Sequence, residues 1–293
     1  MFTRAAPERG SGLLPSIGGM STARGLLMAC HPLPTVAVTG IAGCLAFSVG
    51  LPVGAAVVLI ATILTGQLSI GWSNDVIDAD RDRGRTDKPL AVGSLDRTST
   101  IVATAAALAA TIGLSVVLGG PAGVAALVIV VCGWAYNLAL RSTALSFLPY
   151  GVAFGVLPAT ATLALADRPL PAWWAMAAGA MLGVAAHLLN VLPDLRQDAA
   201  NGIRGLPHRC GASISANVAM LLVLGVAVVL LLGPPGHAPV WRWIAFGLLV
   251  ALAGVSSLRR DRGDRMLFSA LVVGAAVDVL LFAFSGTSLL TVA

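Results

Sequence analysis

The feature that most limits the fold is a succession of apolar runs, each about 20 residues long, the length needed to cross a bilayer. They fall at positions 22–48, 52–75, 98–118, 121–140, 144–166, 170–192, 212–232, 238–258 and 265–285, separated by charged or Gly/Pro-rich breaks. Only 11% of the residues are charged and 57% are hydrophobic, with a mean hydropathy of +0.90. Soluble domains are about 45–50% apolar and 25% charged. The expected fold is therefore an all-α integral membrane protein of nine transmembrane helices. Pro32 and Pro34 should kink the first run or delay its start.

Basic residues orient this bundle. With a cytoplasmic N-terminus, the outward connections are short, and with the flanking helix starts they carry only Arg168 and Arg242. The other sixteen of eighteen basic residues face inward, the asymmetry that sets membrane topology. Nine spans then leave the C-terminus outside. The same asymmetry explains the net charge of +5 without invoking nucleic acid. Positions 1–21 read as a loose cytoplasmic lead with no cleavable signal, and 22–293 as a single transmembrane domain. Cys30, Cys44, Cys132 and Cys210 are too scattered for a zinc site or a disulfide framework.

The chemistry concentrates in N-D-V-I-D-A-D-R-D-R-G-R-T-D-K-P-L, from Asn74 to Leu90, where Asp75 to Asp82 alone hold four of the thirteen acidic residues. At helical spacing Asp75, Asp78 and Asp82 share one face. Bare carboxylates there would repel one another. Mg²⁺ relieves that cost, because it binds carboxylate oxygens and completes its shell with water and phosphate oxygens. The pattern Asn74-x-x-x-Asp78-x-x-x-Asp82 returns 116 residues later as Asn190-x-x-x-Asp194-x-x-x-Asp198, which suggests a duplicated four-helix unit. Each copy opens a long inward loop, about 74–97 and 190–211, so both can face one cavity. Two such rows can hold metal ions that bridge a diphosphate, letting an allylic carbon–oxygen bond ionise. Arg85, Lys88, Arg141, Arg204 and Arg209 lie beside the rows as diphosphate ligands. The apolar remainder of the substrate would be a prenyl chain lying between helices.

Other polar residues have plainer readings. Arg81, Arg83, Arg97 and the cluster Arg259 to Arg265 suit topology and lipid headgroups, and Trp241 and Trp243 are interfacial anchors. His187 and Gln67 point toward the cavity but read first as satisfied buried groups. Asp278, inside the last run, is either functional or a neutral or paired carboxyl. Tyr136 and Asn137, a turn before Arg141, could meet the cation or the diphosphate, with cation–π attraction as the warrant for the tyrosine.

In these motifs the sequence resembles the UbiA superfamily of intramembrane prenyltransferases, from about Arg24 onward. N-D-x-x-D-x-x-x-D is complete as Asn74, Asp75, Asp78 and Asp82, and D-x-x-x-D as Asp194 and Asp198. Lys88 in D-K-P-L and the segment Y-N-L-A-L-R, Tyr136 to Arg141, are similar to the family's basic and tyrosine-to-basic elements. The resemblance implies nine helices around a central cavity, a cap of cytoplasmic loops, Mg²⁺, and transfer of a prenyl group from its diphosphate. No segment identifies the acceptor. A terpene cyclase, in which the chain's own double bond traps the cation, is the nearest alternative. A transporter with duplicated halves is a third, although transporter sites lie near the bilayer midplane.

Overall fold

Proline and glycine decide where many of the helices begin, because proline at a first turn sacrifices only an N–H that has no intrahelical partner. The computed structural model describes residues 21–83, 85, 88–258, 264–283 and 286–290. The expected lead at positions 1–20 and Arg259, Arg260 and Arg262 lie outside the described residues. In order, the helices are α1 Thr22–Ala29, α2 Pro32–Ser48, α3 Val53–Asp78, α4 Arg97–Leu118, α5 Gly120–Leu138 and α6 Leu148–Thr162. They continue as α7 Trp173–Val191, α8 Leu195–Ala200, α9 Leu206–Cys210, α10 Ala212–Leu232, α11 Val240–Leu258 and α12 Asp264–Ala283. Among the described residues there is no strand, only an isolated antiparallel bridge between Pro171 and Leu290.

Every predicted apolar run is helical, and the run at 22–48 breaks where its prolines require. Helices α1 and α2 meet at His31 with a 70° bend. Five helices are long and apolar enough to cross a membrane: α3, α4, α5, α7 with its continuation to Ala200, and α10. The bent α1–α2 pair makes a sixth. Helix α6 has 15 residues, and the apolar parts of the last two helices are Val240–Val255 and Val272–Phe282.

The helices pack about α3 in the first half and α7 in the second. Small residues on α7 let α6 approach closely: a β-carbon on Gly179 would sit 2.4 Å from the Phe154 carbonyl oxygen, and one on Gly183 2.3 Å from that of Tyr150. Such contacts drive helix association where lipid offers no hydrophobic gain. The dry core joins Leu45, Leu59, Leu157, Trp174 and Val226, and Trp174 meets Phe282 edge-on at 6.5 Å. Large apolar side chains such as Leu33, Val116 and Leu221 point outward, as a lipid-facing surface demands.

Candidate functional site

The first acidic row grows from the polar end of α3. The α-helix stops at Asp78 rather than running through Asp82, yet Asp82 N–H still donates to the Asp78 carbonyl at 2.8 Å. That bond keeps all three aspartates together. Their residues are 2%, 5% and 8% exposed for Asp75, Asp78 and Asp82, so each carboxylate needs a cation or a donor. Asp75 Oδ1 accepts from Lys88 Nζ at 2.5 Å and lies 3.1 Å from His31 Nε2, whereas its Oδ2 is buried with no hydrogen-bond partner among the described residues. Asp78 is gripped by both terminal nitrogens of Arg141 and accepts from Arg81 at 2.9 Å. Burial pushes the Asp82 carboxyl above the usual carboxylate range; Lys88 and Arg85 oppose that rise, and Asp78 and Asp75 add to it. Asn74 donates to Asn137, which in turn donates to the Ile70 carbonyl and to Ser73.

The second row differs in shape. Helix α7 ends at Val191, a 3₁₀ turn covers Leu192–Asp194, and α8 carries Asp198. The row is broken at Pro193, which lacks the N–H a helix interior needs. Asn190 and Asp194 are exposed. The Asp198 side chain is 22% exposed and lies 3.7 Å from His208 Nε2. Asp198 also feels the charges of Arg141 and Arg85. Arg141, fixed to the first row, therefore stands within electrostatic range of the second. Arg85 acts on Asp82 and Asp198 alike.

Backbone contacts close the space between the rows. A β-carbon on Gly205, in the loop after the second row, would lie 2.6 Å from the Arg141 carbonyl oxygen. The adjoining Leu206 N–H donates to Ser146 Oγ at 2.9 Å, and the same hydroxyl lies 3.0 Å from His187 Nε2. His187 was expected to be fully satisfied; its Nδ1 is buried without a partner. Behind Arg141, three rings converge: Tyr136 meets Tyr150 edge-on at 5.2 Å and His187 at 5.7 Å, and Tyr150 lies 5.1 Å from His187. Asn190 acts on Tyr150 from the end of α7. Arg141, Asp78 and Asp198 all act on Tyr136.

The structure thus brings together Asp75, Asp78, Asp82, Lys88, Arg85, Arg141, Asp198 and Tyr136. Asn190 joins them through Tyr150. Arg204 is exposed, and its recorded contact is its carbonyl accepting from Arg209 Nε. Three participants escaped the sequence reading: His31, Ser146 and Tyr150. The proline-flanked break marks His31, but spacing does not reveal its distant partner. Asp278 on α12 is fully buried, with both carboxyl oxygens unpartnered among the described residues; one turn before it, a β-carbon on Gly274 would meet Val223 and Leu249.

Among the described residues no three His, Cys, Asp or Glu side chains converge as a ready-made metal cage. Mg²⁺, a hard cation, takes one or two carboxylates and relies on water and substrate phosphate for the rest. The oxygen-only donor set and the orphaned Asp75 Oδ2 fit it.

Solved structures share this fold. A UbiA homolog from Archaeoglobus fulgidus bound to GPP and Mg²⁺ aligns with a TM-score of 0.68 at 14% identity, over 89% of this chain and 99% of that one. The same homolog bound to DMAPP and Mg²⁺ gives 0.66 at 15% identity, over 89% and 99%. A UbiA homolog from Aeropyrum pernix K1 gives 0.64 at 16% identity, over 90% and 97%. No curated protein matches the sequence. The UbiA prenyltransferase family, by contrast, matches residues 33–271. With that match spanning most of the sequence and the fold in agreement, this chain belongs to the UbiA prenyltransferase family.

Proposed function

We propose that this protein is a Mg²⁺-dependent intramembrane prenyltransferase that ionises a prenyl diphosphate and passes the prenyl group to an acceptor. One observation carries the reading: Arg141 is clasped by Asp78 of the first row while acting on Asp198 of the second. Rows so linked can serve one ligand. Prenyl diphosphates and Mg²⁺ in the Archaeoglobus fulgidus homologs support the same ligand class here.

Asp75, Asp78, Asp82, Asp194 and Asp198 would hold Mg²⁺, directly or through water, with Asn74 and Asn190 assisting. The bound ion would neutralise charge on the departing diphosphate. Arg85, Lys88, Arg141 and Arg204 would take the phosphate oxygens. Arginine offers a fork that fits carboxylate and phosphate alike, and lysine a movable point charge. Tyr136, backed by Tyr150, would turn a ring toward the allylic cation. The buried His187 and the apolar helices would keep water from quenching it.

The same proposal covers the architecture: nine spans, residues 22–293 as a single domain, a cytoplasmic N-terminus, an external C-terminus, and a site toward the cytoplasmic face. Sixteen inward basic residues against two support that orientation.

A terpene cyclase is the second reading, favoured by the Tyr136–Tyr150 ring pair, since cyclising cations need such surfaces along the chain. Purified protein incubated with Mg²⁺ and prenyl diphosphates of several lengths tests both. Diphosphate release only with added acceptor marks a transferase. A cyclic hydrocarbon or alcohol from donor alone marks a cyclase. Absence of Mg²⁺-dependent release with every donor and acceptor would leave a carrier with duplicated halves.

A further inference from the structure

The α1–α2 elbow brings His31 to the first acidic row from 44 residues away. Its backbone is left-handed, φ 55° and ψ 71°, a conformation that costs a non-glycine residue energy and persists only where its surroundings enforce it. The surroundings do so here. Trp72 Nε1 donates to the Leu26 carbonyl at 2.8 Å, Thr35 Oγ1 donates to the Cys30 carbonyl at 2.8 Å, and a β-carbon on Gly71 would lie 2.5 Å from that same carbonyl oxygen. The elbow is therefore clamped to α3 one turn before Asp75.

The hydrogen bonds at Asp75 have an asymmetry. Oδ1 meets both Lys88, at 2.5 Å, and His31, at 3.1 Å, while Oδ2 has neither. His31 Nε2 also lies 3.2 Å from Lys88 Nζ. An ammonium only donates and an ionised carboxylate only accepts, so Nε2 can serve one of them at a time. If Lys88 swings to a phosphate oxygen, Nε2–H remains as the donor to Oδ1. We propose that His31 is a positioning residue that holds Asp75 Oδ1 from the elbow, so that Oδ2 stays aimed at the divalent cation when Lys88 leaves for the diphosphate. This rests on the functional reading above. It adds a third element, the elbow, to a site otherwise built from the two rows. Outer groups that orient a metal ligand commonly change metal affinity by about 10–100-fold when removed.

The test uses full-length protein in detergent, with Mn²⁺ as probe and inorganic pyrophosphate as co-ligand, and follows bound Mn²⁺ by electron paramagnetic resonance. His31→Gly keeps the left-handed backbone and removes the imidazole. His31→Gln, non-glycine like the histidine it replaces, puts an amide N–H where Nε2–H stood. The parent should bind Mn²⁺ saturably with pyrophosphate, and Asp75→Ala should abolish this. His31→Gly should weaken Mn²⁺ binding by about tenfold at an unchanged thermal midpoint, and His31→Gln should recover most of the loss. In turnover, His31→Gly should raise the Mg²⁺ concentration for half-maximal rate more than it lowers kcat at saturating Mg²⁺. Parental Mn²⁺ affinity in His31→Gly overturns the role of His31 while leaving the function standing. Equal losses in both variants also overturn it, because the elbow rather than the hydrogen bond would then matter. No pyrophosphate-dependent Mn²⁺ binding by the parent protein removes the functional reading, and this inference with it.

Discussion

The two acidic rows share one spacing and little else. The first is buried: Asp75 pairs with Lys88 and His31, and Asp78 with Arg141 and Arg81. The second is open, with Asp194 exposed and Asp198 partly exposed, 3.7 Å from the His208 ring. The cause is local. Row one continues a 26-residue helix packed chiefly on α2, α4 and α5, whereas Pro193 breaks row two into a 3₁₀ turn and a six-residue helix. Burial commits a carboxylate to fixed partners, because an unpaired charge in low dielectric is expensive. Exposure leaves it free to move toward a ligand. The first row is thus a prebuilt anchor, and the second is the part that can adapt.

The largest expected effect comes from removing an anchor residue. Asp78→Ala would strand Arg141, a loss of about 3–5 kcal/mol for a buried pair, visible as a large fall in thermal midpoint together with loss of diphosphate release. Asp194→Ala should leave stability within about 0.5 kcal/mol while slowing release about 100-fold. Equal losses of stability in the two variants would erase the contrast. Gly205→Ala touches no acidic residue, yet its β-carbon would meet the Arg141 carbonyl oxygen at 2.6 Å and Ser146 Oγ at 2.9 Å. A cost of about 1–3 kcal/mol and slowed release are expected from thermal melts and turnover, and parental behaviour would mean the rows need no docking between their loops.

The smallest effect is electrostatic. Burial raises the Asp82 carboxyl above its value in the unfolded chain, so the native state holds that proton more tightly. The resulting stability is present below the unfolded value, about 3.9, and is lost as pH rises through the folded one. Asp82→Asn should therefore melt higher than the parent at neutral pH and at the same temperature in acid. A lower melt at neutral pH would mean that its attraction to Lys88 and Arg85 outweighs burial.

Much of this was legible in one dimension. Apolar runs of bilayer length became helices, the Pro32 break became a 70° elbow, and residues spaced by helical turns at Asp75 and Asp78 share one buried end of α3. The repeated spacing at Asn190, Asp194 and Asp198 does not lie on one unbroken helix, because the proline inside it removes the donor that such a helix requires. Arg204, a neighbour of the second row in sequence, is exposed, and its backbone carbonyl accepts from Arg209.

By itself the sequence determined the helical segments, the repeated acidic spacing and the imbalance of basic residues, since each depends on periodicity or composition over a few turns. Only the tertiary structure decided the partners. His31 reaches Asp75 across 44 residues, Leu206 reaches Ser146 across 60, and Arg141 reaches Asp78 across 63. A helix relates side chains three or four positions apart. Which distant helices press together is settled by how small residues let their backbones approach, and that is a property of the packed bundle.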